Sequence, residues 1–98
     1  MTKYRMFIGK ADKHTTKQQY SDSYFKKSIS AVLNGNSIAG YTIIESIGFW
    51  EGNAEKSLIV EINSGVPIDY ENICKELKTR LNQSAIMVEV YKVQCEFI

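Results

Sequence analysis

Residues 41–63 read YTIIESIGFWEGNAEKSLIVEIN and hold two strand-like runs with an odd connection between them. Successive side chains of a strand point to opposite faces. Tyr41, Ile43, Ile47 and Phe49 therefore share one face, with Glu45 among them, while Thr42, Ile44, Ser46, Gly48 and Trp50 share the other. Leu58, Val60 and Ile62 alternate in the same way with Ile59 and Glu61. Strands are expected over residues 41–49 and 56–63, paired as an antiparallel hairpin. The connection, Gly48-Phe49-Trp50-Glu51-Gly52-Asn53-Ala54-Glu55-Lys56-Ser57, carries the only tryptophan of the chain, two glycines and two carboxylates. A plain hairpin turn needs about two to five residues. A tryptophan ring belongs in a core or against a ligand. The connection is thus the first candidate functional segment, since function concentrates on such loops. The plainer alternative is that Trp50 closes one end of the core and the carboxylates are merely solvated.

On the N-terminal side, Tyr4 to Ile8 reads as a short strand ending at Gly9. Residues 10–19 are polar, lack apolar periodicity, and read as a loop; Lys10, Lys13, His14 and Lys17 against Asp12 make it the one locally basic stretch. Ser21 or Asp22 can cap a helix to about Asn34, because Phe25, Ile29, Val32 and Leu33 recur at helical spacing and Asn34-Gly35-Asn36 is a helix stop. On the C-terminal side, residues 64–67 form a turn. Asp69 caps a second helix through Leu81, with Ile73, Leu77 and Leu81 as its apolar stripe. Residues 85–97 read as a last strand region. Its apolar phase shifts after Tyr91, from Ile86, Val88 and Val90 to Val93, Cys95 and Phe97, which predicts a bulge or an extension that pairs with something else. The order strand, helix, strand, strand, helix, strand is the split β-α-β unit. An α+β, ferredoxin-like βαββαβ sandwich is expected: one domain over residues 1–98, with two helices on one face of a four-stranded antiparallel sheet. The other sheet face carries apolar residues on several strands and is expected to be buried between subunits.

Bulk numbers exclude several classes. Twelve Lys and Arg against 11 Asp and Glu, with 44% hydrophobic and 23% charged residues, describe ordinary globular composition. The balance of charge predicts neither DNA binding nor a membrane surface. No apolar run approaches the roughly 18 residues of a membrane span. Cys74 and Cys95 make neither a disulfide framework nor a zinc site, which fits a reducing, cytoplasmic setting. No phosphate-binding glycine loop, Cys/His cluster or Ser-His-Asp set is visible, so no metal site and no cofactor is expected.

Among candidate residues, Glu55 follows the Trp50-Glu51-Gly52 corner. An aromatic face beside a carboxylate suits a sulfonium or ammonium group, through charge and cation–π attraction. The basic loop suits a phosphate or carboxylate, and simple solvation is the rival reading of His14 and the lysines. Glu45 and Glu61 lie inside strands and call for a cross-strand partner or exposure. Most of the six tyrosines are expected to edge the core with their hydroxyls outward, which leaves one or two to line a pocket.

The second and third strands resemble the phage-encoded S-adenosylmethionine lyases, long labelled hydrolases. The similar residues are Glu45-Ser46, Gly48-Phe49-Trp50, a variable Glu51 to Ala54, and Glu55-Lys56-Ser57 leading into Leu58-Ile59-Val60. They span about a quarter of the chain. The resemblance implies a homotrimer like the PII signalling proteins, with ligand sites between subunits. It also implies a reaction without water, in which the substrate's own oxygen attacks its γ-carbon, expels methylthioadenosine and leaves a homoserine lactone. The family glutamate, which orients the charged methionyl part, matches Glu55. The family tyrosine matches Trp50 only as an aromatic, so its hydroxyl has no counterpart there. Gly48, Phe49 and Ser57 complete the expected substrate contacts. Relatives are linked to CRISPR defence, where the substrate is S-adenosylmethionine joined to AMP. Lys10, Lys13, His14 and Lys17 would then meet the extra phosphate. The expectation is a lyase on one of these two substrates. The alternatives are a non-catalytic trimeric binder of a nucleotide-like metabolite, or an inhibitor of another protein.

Overall fold

The computed structural model describes residues 1–98. The elements are β1 (Thr2–Gly9), α1 (Asp22–Gly35), β2 (Thr42–Trp50), β3 (Asn53–Ser64), α2 (Tyr70–Leu81) and β4 (Met87–Lys92). All strand pairs are antiparallel and the spatial order is β2-β3-β1-β4. This is the expected ferredoxin-like α+β sandwich.

One face of the sheet and the two helices make the core. Tyr4, Met6 and Ile8 of β1 stand opposite Ile62, Val60 and Leu58 of β3, and all six are buried. Phe25, Ile29, Val32 and Leu33 of α1 and Ile73, Leu77 and Leu81 of α2 close over them. Burying each such side chain contributes about 1.5–3 kcal/mol. Both helix starts are capped as the sequence predicts: Ser21 Oγ accepts from the Tyr24 N–H at 3.1 Å and Asp69 Oδ1 from the Asn72 N–H at 3.1 Å. Asn82 ends α2 in the left-handed region, with φ 51°.

The open sheet face carries Arg5 between two carboxylates, Glu61 at 2.8 Å and Glu89 at 3.6 Å, with its guanidinium 5.3 Å from the Phe7 ring centroid. Glu61 thus finds a cross-strand cation. Glu45 reaches instead to α1, where Lys26 Nζ lies 3.2 Å away.

Three sequence expectations change. The connection between β2 and β3 is two residues long, not ten. Glu51 (φ 49°) and Gly52 (φ 80°) both take positive φ, the signature of a tight two-residue hairpin turn, and Trp50 pairs with Asn53. Gly48, Phe49, Trp50, Glu55, Lys56 and Ser57 are therefore ladder residues, and β3 starts three residues earlier than residue 56. Trp50 does not close the core, for it is 75% exposed. Finally, β4 stops at Lys92, opposite Thr2, so the phase shift after Tyr91 marks the end of pairing and not a bulge.

Candidate functional site

The site grows from the far half of the β2–β3 ribbon. Glu55 stands opposite Gly48, and Ser57 opposite both Ser46 and Gly9. Side chains directly across a ladder share a face. Trp50, Glu55, Ser57 and Ser46 therefore all project from the open face, with nothing at Gly48 between them. The Ser46 and Ser57 hydroxyls hydrogen-bond at 2.6 Å. A methyl group at Gly9 would collide with Oε1 of Glu55, so the carboxylate lies across bare backbone. The same position is 3.5 Å from the Gln83 amide oxygen. At Gly48 an added Cβ would find nothing nearer than the Glu55 carbonyl oxygen at 4.0 Å. Two glycines thus clear the ground around one exposed carboxylate, and an exposed indole stands at the end of the clearing.

Gln83 is fixed from behind. It is buried, and its Nε2 donates to the carbonyls of Ala11 at 2.9 Å and Leu81 at 3.2 Å. This ties the start of the 10–19 loop to the end of α2. Asp12 strengthens the tie: its carboxylate accepts from Asn82 Nδ2 at 2.5 Å and from the His14 N–H at 2.9 Å. Those donors, the Asn82 amide foremost, hold the Asp12 carboxyl below its ordinary value. Ala11 and Gln18 form an isolated antiparallel bridge. The polar loop is accordingly a docked, hydrogen-bonded turn.

Glu55 shares a small cleft of about 190 Å³ with Lys10, Ala11, Thr16, Gln18, Ala54 and Lys56. A larger open cleft of about 480 Å³ adjoins it, lined by Lys10, Asp22, Glu45, Ser46, Ile47 and Lys56. Lys10 and Lys56 border both, and are joined by a 3.0 Å backbone hydrogen bond from the Lys10 N–H to the Lys56 carbonyl. Lys10 is 5% exposed, contrary to the reading of a solvated basic loop, because Asp22 Oδ1 accepts from its Nζ at 3.0 Å. Gln18 Nε2 donates to the same oxygen at 3.0 Å. Gln18 first, then Lys10, holds the Asp22 carboxyl below its usual value. The Lys10 charge is therefore already engaged. Lys56 has no carboxylate within salt-bridge distance and is the free cation of the site.

Of the residues proposed from sequence, Glu55 and Lys10 share the small cleft, while Gly48 and Ser57 flank Glu55 on the open face of the ladder. Trp50 lies on the same face, toward the ribbon tip. Phe49 points the other way, on the helix side, yet is 74% exposed because neither helix reaches so far. Lys13 turns away to a polar hollow with Lys75 and Lys78 of α2. His14 and Lys17 are exposed and line neither cleft. No tyrosine lines either cleft. Sequence reasoning missed Gly9, Thr16, Gln18, Asp22, Lys56 and Gln83. Gly9 was visible only as a strand end, and Gln83 gave no signal at all. Cys74 is buried, which pushes its thiol up and keeps it protonated; Cys95 is exposed.

No protein-family model matches this chain, and neither does any curated protein. Solved structures do. A phage SAM lyase in the apo state aligns at TM-score 0.64 and 18% identity, over 99% of this chain and 91% of the other. A phage SAM lyase in complex with S-methyl-5'-thioadenosine aligns at 0.61 and 17%, over 93% and 80%. CPII, a nitrogen regulatory PII-like protein from Thiomonas intermedia K12 bound to ADP, AMP and bicarbonate, aligns at 0.57 and 12%, over 99% and 93%. At such identities the likeness establishes a shared fold. No helix is long and apolar enough to cross a membrane.

Proposed function

We propose that this protein is a lyase acting on S-adenosylmethionine or on its AMP conjugate. The observation that carries the reading is the Glu55 carboxylate laid across Gly9, on the face it shares with the exposed Trp50 indole. A carboxylate attracts the ammonium end and the sulfonium of such a substrate. The indole offers a π-face to an adenine ring or to the sulfonium. The fold shared with the phage lyases supports it.

The reaction balances without water or an external base. A carboxylate oxygen of the methionyl group forms a bond to its own γ-carbon. The carbon–sulfur bond breaks, and its electron pair neutralises the sulfonium. Methylthioadenosine leaves and a homoserine lactone remains. Glu55 holds the ammonium so that the attacking oxygen, the carbon and the sulfur lie in line. Positioning of this kind supplies several kcal/mol of such a barrier, on the order of 7–11 at best. In this reading the unpaired Lys56, which borders both clefts, meets the phosphate of the conjugate, and Lys10 beside it stays bound to Asp22. Lys13, His14 and Lys17 are secondary in this reading. The Glu55 cleft, at about 190 Å³, is smaller than the roughly 300–1,000 Å³ of ordinary ligand pockets. A homotrimer, with a neighbouring copy walling the clearing, completes it.

Chromatography after incubation with each substrate tests the proposal. Methylthioadenosine, or its nucleotide form, is expected. Glu55→Gln should retain the fold and lose about 100-fold or more in turnover, as removal of one preorganised electrostatic contact does. Undiminished turnover in that variant would refute the assignment. Two observations favour a second reading: the clefts lack a tyrosine hydroxyl, and a PII-like neighbour in fold is bound to ADP and AMP. A non-catalytic binder of a nucleotide-like metabolite would bind methylthioadenosine or ADP in calorimetry and release no product.

A further inference from the structure

On the α2 side of the docked loop lies a hollow of about 410 Å³, lined by Lys13, Lys75, Lys78, Thr79, Gln83 and Ser84. Every lining residue is polar; three carry a positive charge and none a negative one. No carboxylate lies within salt-bridge distance of any of these lysines. The backbone holds them together. The Lys13 N–H donates to the Asn82 carbonyl at 3.1 Å, and the Gln83 N–H to the Lys78 carbonyl at 3.0 Å. Lys78 is half-buried, where an ammonium without a counter-ion is costly. Lysines three positions apart on one helix, as Lys75 and Lys78 are, repel each other. The α2 dipole rewards cations in the last turn, which accounts for Lys78 and Arg80. It accounts neither for Lys75 nor for Lys13, which the loop brings in from the other end of the chain.

We infer that this hollow binds a compact, multiply charged phosphate anion of the pyrophosphate or triphosphate class. Lysine ammonium groups are point charges that meet phosphate oxygens without a fixed fork geometry. Ser84 adds an exposed hydroxyl donor. Thr79 Oγ1 already donates to the Lys75 carbonyl at 3.1 Å, so its proton stays within the helix. With no apolar lining, the hollow offers nothing for a base or an acyl chain to pack on; the phosphates themselves are what it recognises. Its volume falls within the roughly 300–1,000 Å³ of small-ligand sites. A nucleic-acid backbone fits it less well. Glu76 lines the neighbouring hollow beside Lys75 and Arg80 and interrupts the positive surface, and the whole chain carries only +1. The site is separate from the clearing, since Glu55, Trp50 and Lys56 line no part of it. Only the docked loop and Gln83 serve both.

Calorimetry and amide NMR on the whole chain at low ionic strength, with inorganic pyrophosphate as the probe, test it without reference to product. One site per chain is expected, with a dissociation constant below about 1 mM. The largest amide shifts should fall at Lys13, Lys75, Lys78 and Ser84. Lys13→Ala, Lys75→Ala and Lys78→Ala should each weaken binding about tenfold, as loss of one charge-assisted contact does, with an unchanged circular dichroism spectrum. Lys27→Ala removes the same charge from an exposed position of α1 outside the hollow and should alter affinity by less than about twofold. Equal weakening by Lys27→Ala would reduce the binding to overall charge and overturn the inference. So would wild-type affinity in all three hollow variants, no binding at about 10 mM pyrophosphate, a citrate complex as tight as the pyrophosphate one, or an oligonucleotide that binds where pyrophosphate does not. Shifts confined to Lys10 and Lys56 would put the phosphate in the other clefts, sinking this site and sparing the lyase. Pyrophosphate held as expected by a chain that releases no methylthioadenosine would do the reverse.

Discussion

Near the start of β2, Ile43 stands opposite Val60 and packs against the helices; four residues on, Ile47 stands opposite Lys56 and is 65% exposed. Both isoleucines occupy the same face of the same ribbon. The difference is cover. α1 and α2 roof the first half of the ribbon, and the second half runs beyond them to a two-residue turn with an indole on one face and a phenyl on the other. The covered half holds the molecule together. The bare half is free to hold something else, because removing its side chains from contact costs the core nothing.

The widest separation between the halves should appear on truncation. Leu58→Ala, in the roofed half, should lower stability by about 2–5 kcal/mol, as a buried leucine leaves a cavity. Trp50→Ala, in the bare half, should change it by only ~0.5 kcal/mol. Chemical denaturation of both measures the contrast, and similar losses would mean that the tip is packed in solution. Gly9→Ala sharpens the comparison at the site itself. The new methyl meets the flexible end of Glu55, so stability should hold. The carboxylate must move, and affinity for methylthioadenosine should fall about tenfold, or ~1.4 kcal/mol. Unaltered calorimetric binding would mean that this carboxylate position is immaterial.

A smaller effect concerns the docked loop that backs the clearing. The folded Asp12 carboxyl lies below its ordinary value of 3.8, so its contribution is present above that pH and lost as pH falls through the lower folded value. Melting temperature should decline more between pH 5 and 3 for the wild type than for Asp12→Asn. Parallel declines would show that the Asn82 and His14 contacts do not hold the loop. The smallest expected change is at Lys17. It lines neither cleft, so Lys17→Glu should leave turnover of both substrates within about twofold, whereas Lys56→Glu should slow the AMP conjugate selectively. Equal damage from the two would restore the whole basic loop as a phosphate reader.

Much of the fold was legible because it depends on local periodicity. The alternation in β1 and β3, the helical spacing of Phe25, Ile29, Val32 and Leu33, and the caps at Ser21 and Asp69 are each decided within a few residues of chain. The hairpin was misjudged for a physical reason. An exposed tryptophan is uncommon, and its presence argued for a loop or core where the chain simply continued its ladder. Of the candidate site, Glu55, Gly48 and Ser57 were singled out in the sequence by the one stretch that holds all three. Lys10 was found for the wrong reason: its neighbours in sequence are solvated, but Asp22, twelve residues away, draws its ammonium inward.

What the sequence determined by itself was the order of elements, the facing of each strand and a carboxylate beside an aromatic, because such patterns need only neighbouring residues. Tertiary structure alone decided that the helices stop short of the ribbon tip, that Glu55 and Gln83 both converge on Gly9, and that the basic residues divide between two sides of the molecule. Those facts depend on distances between segments far apart in the chain, which close packing sets and local sequence does not encode.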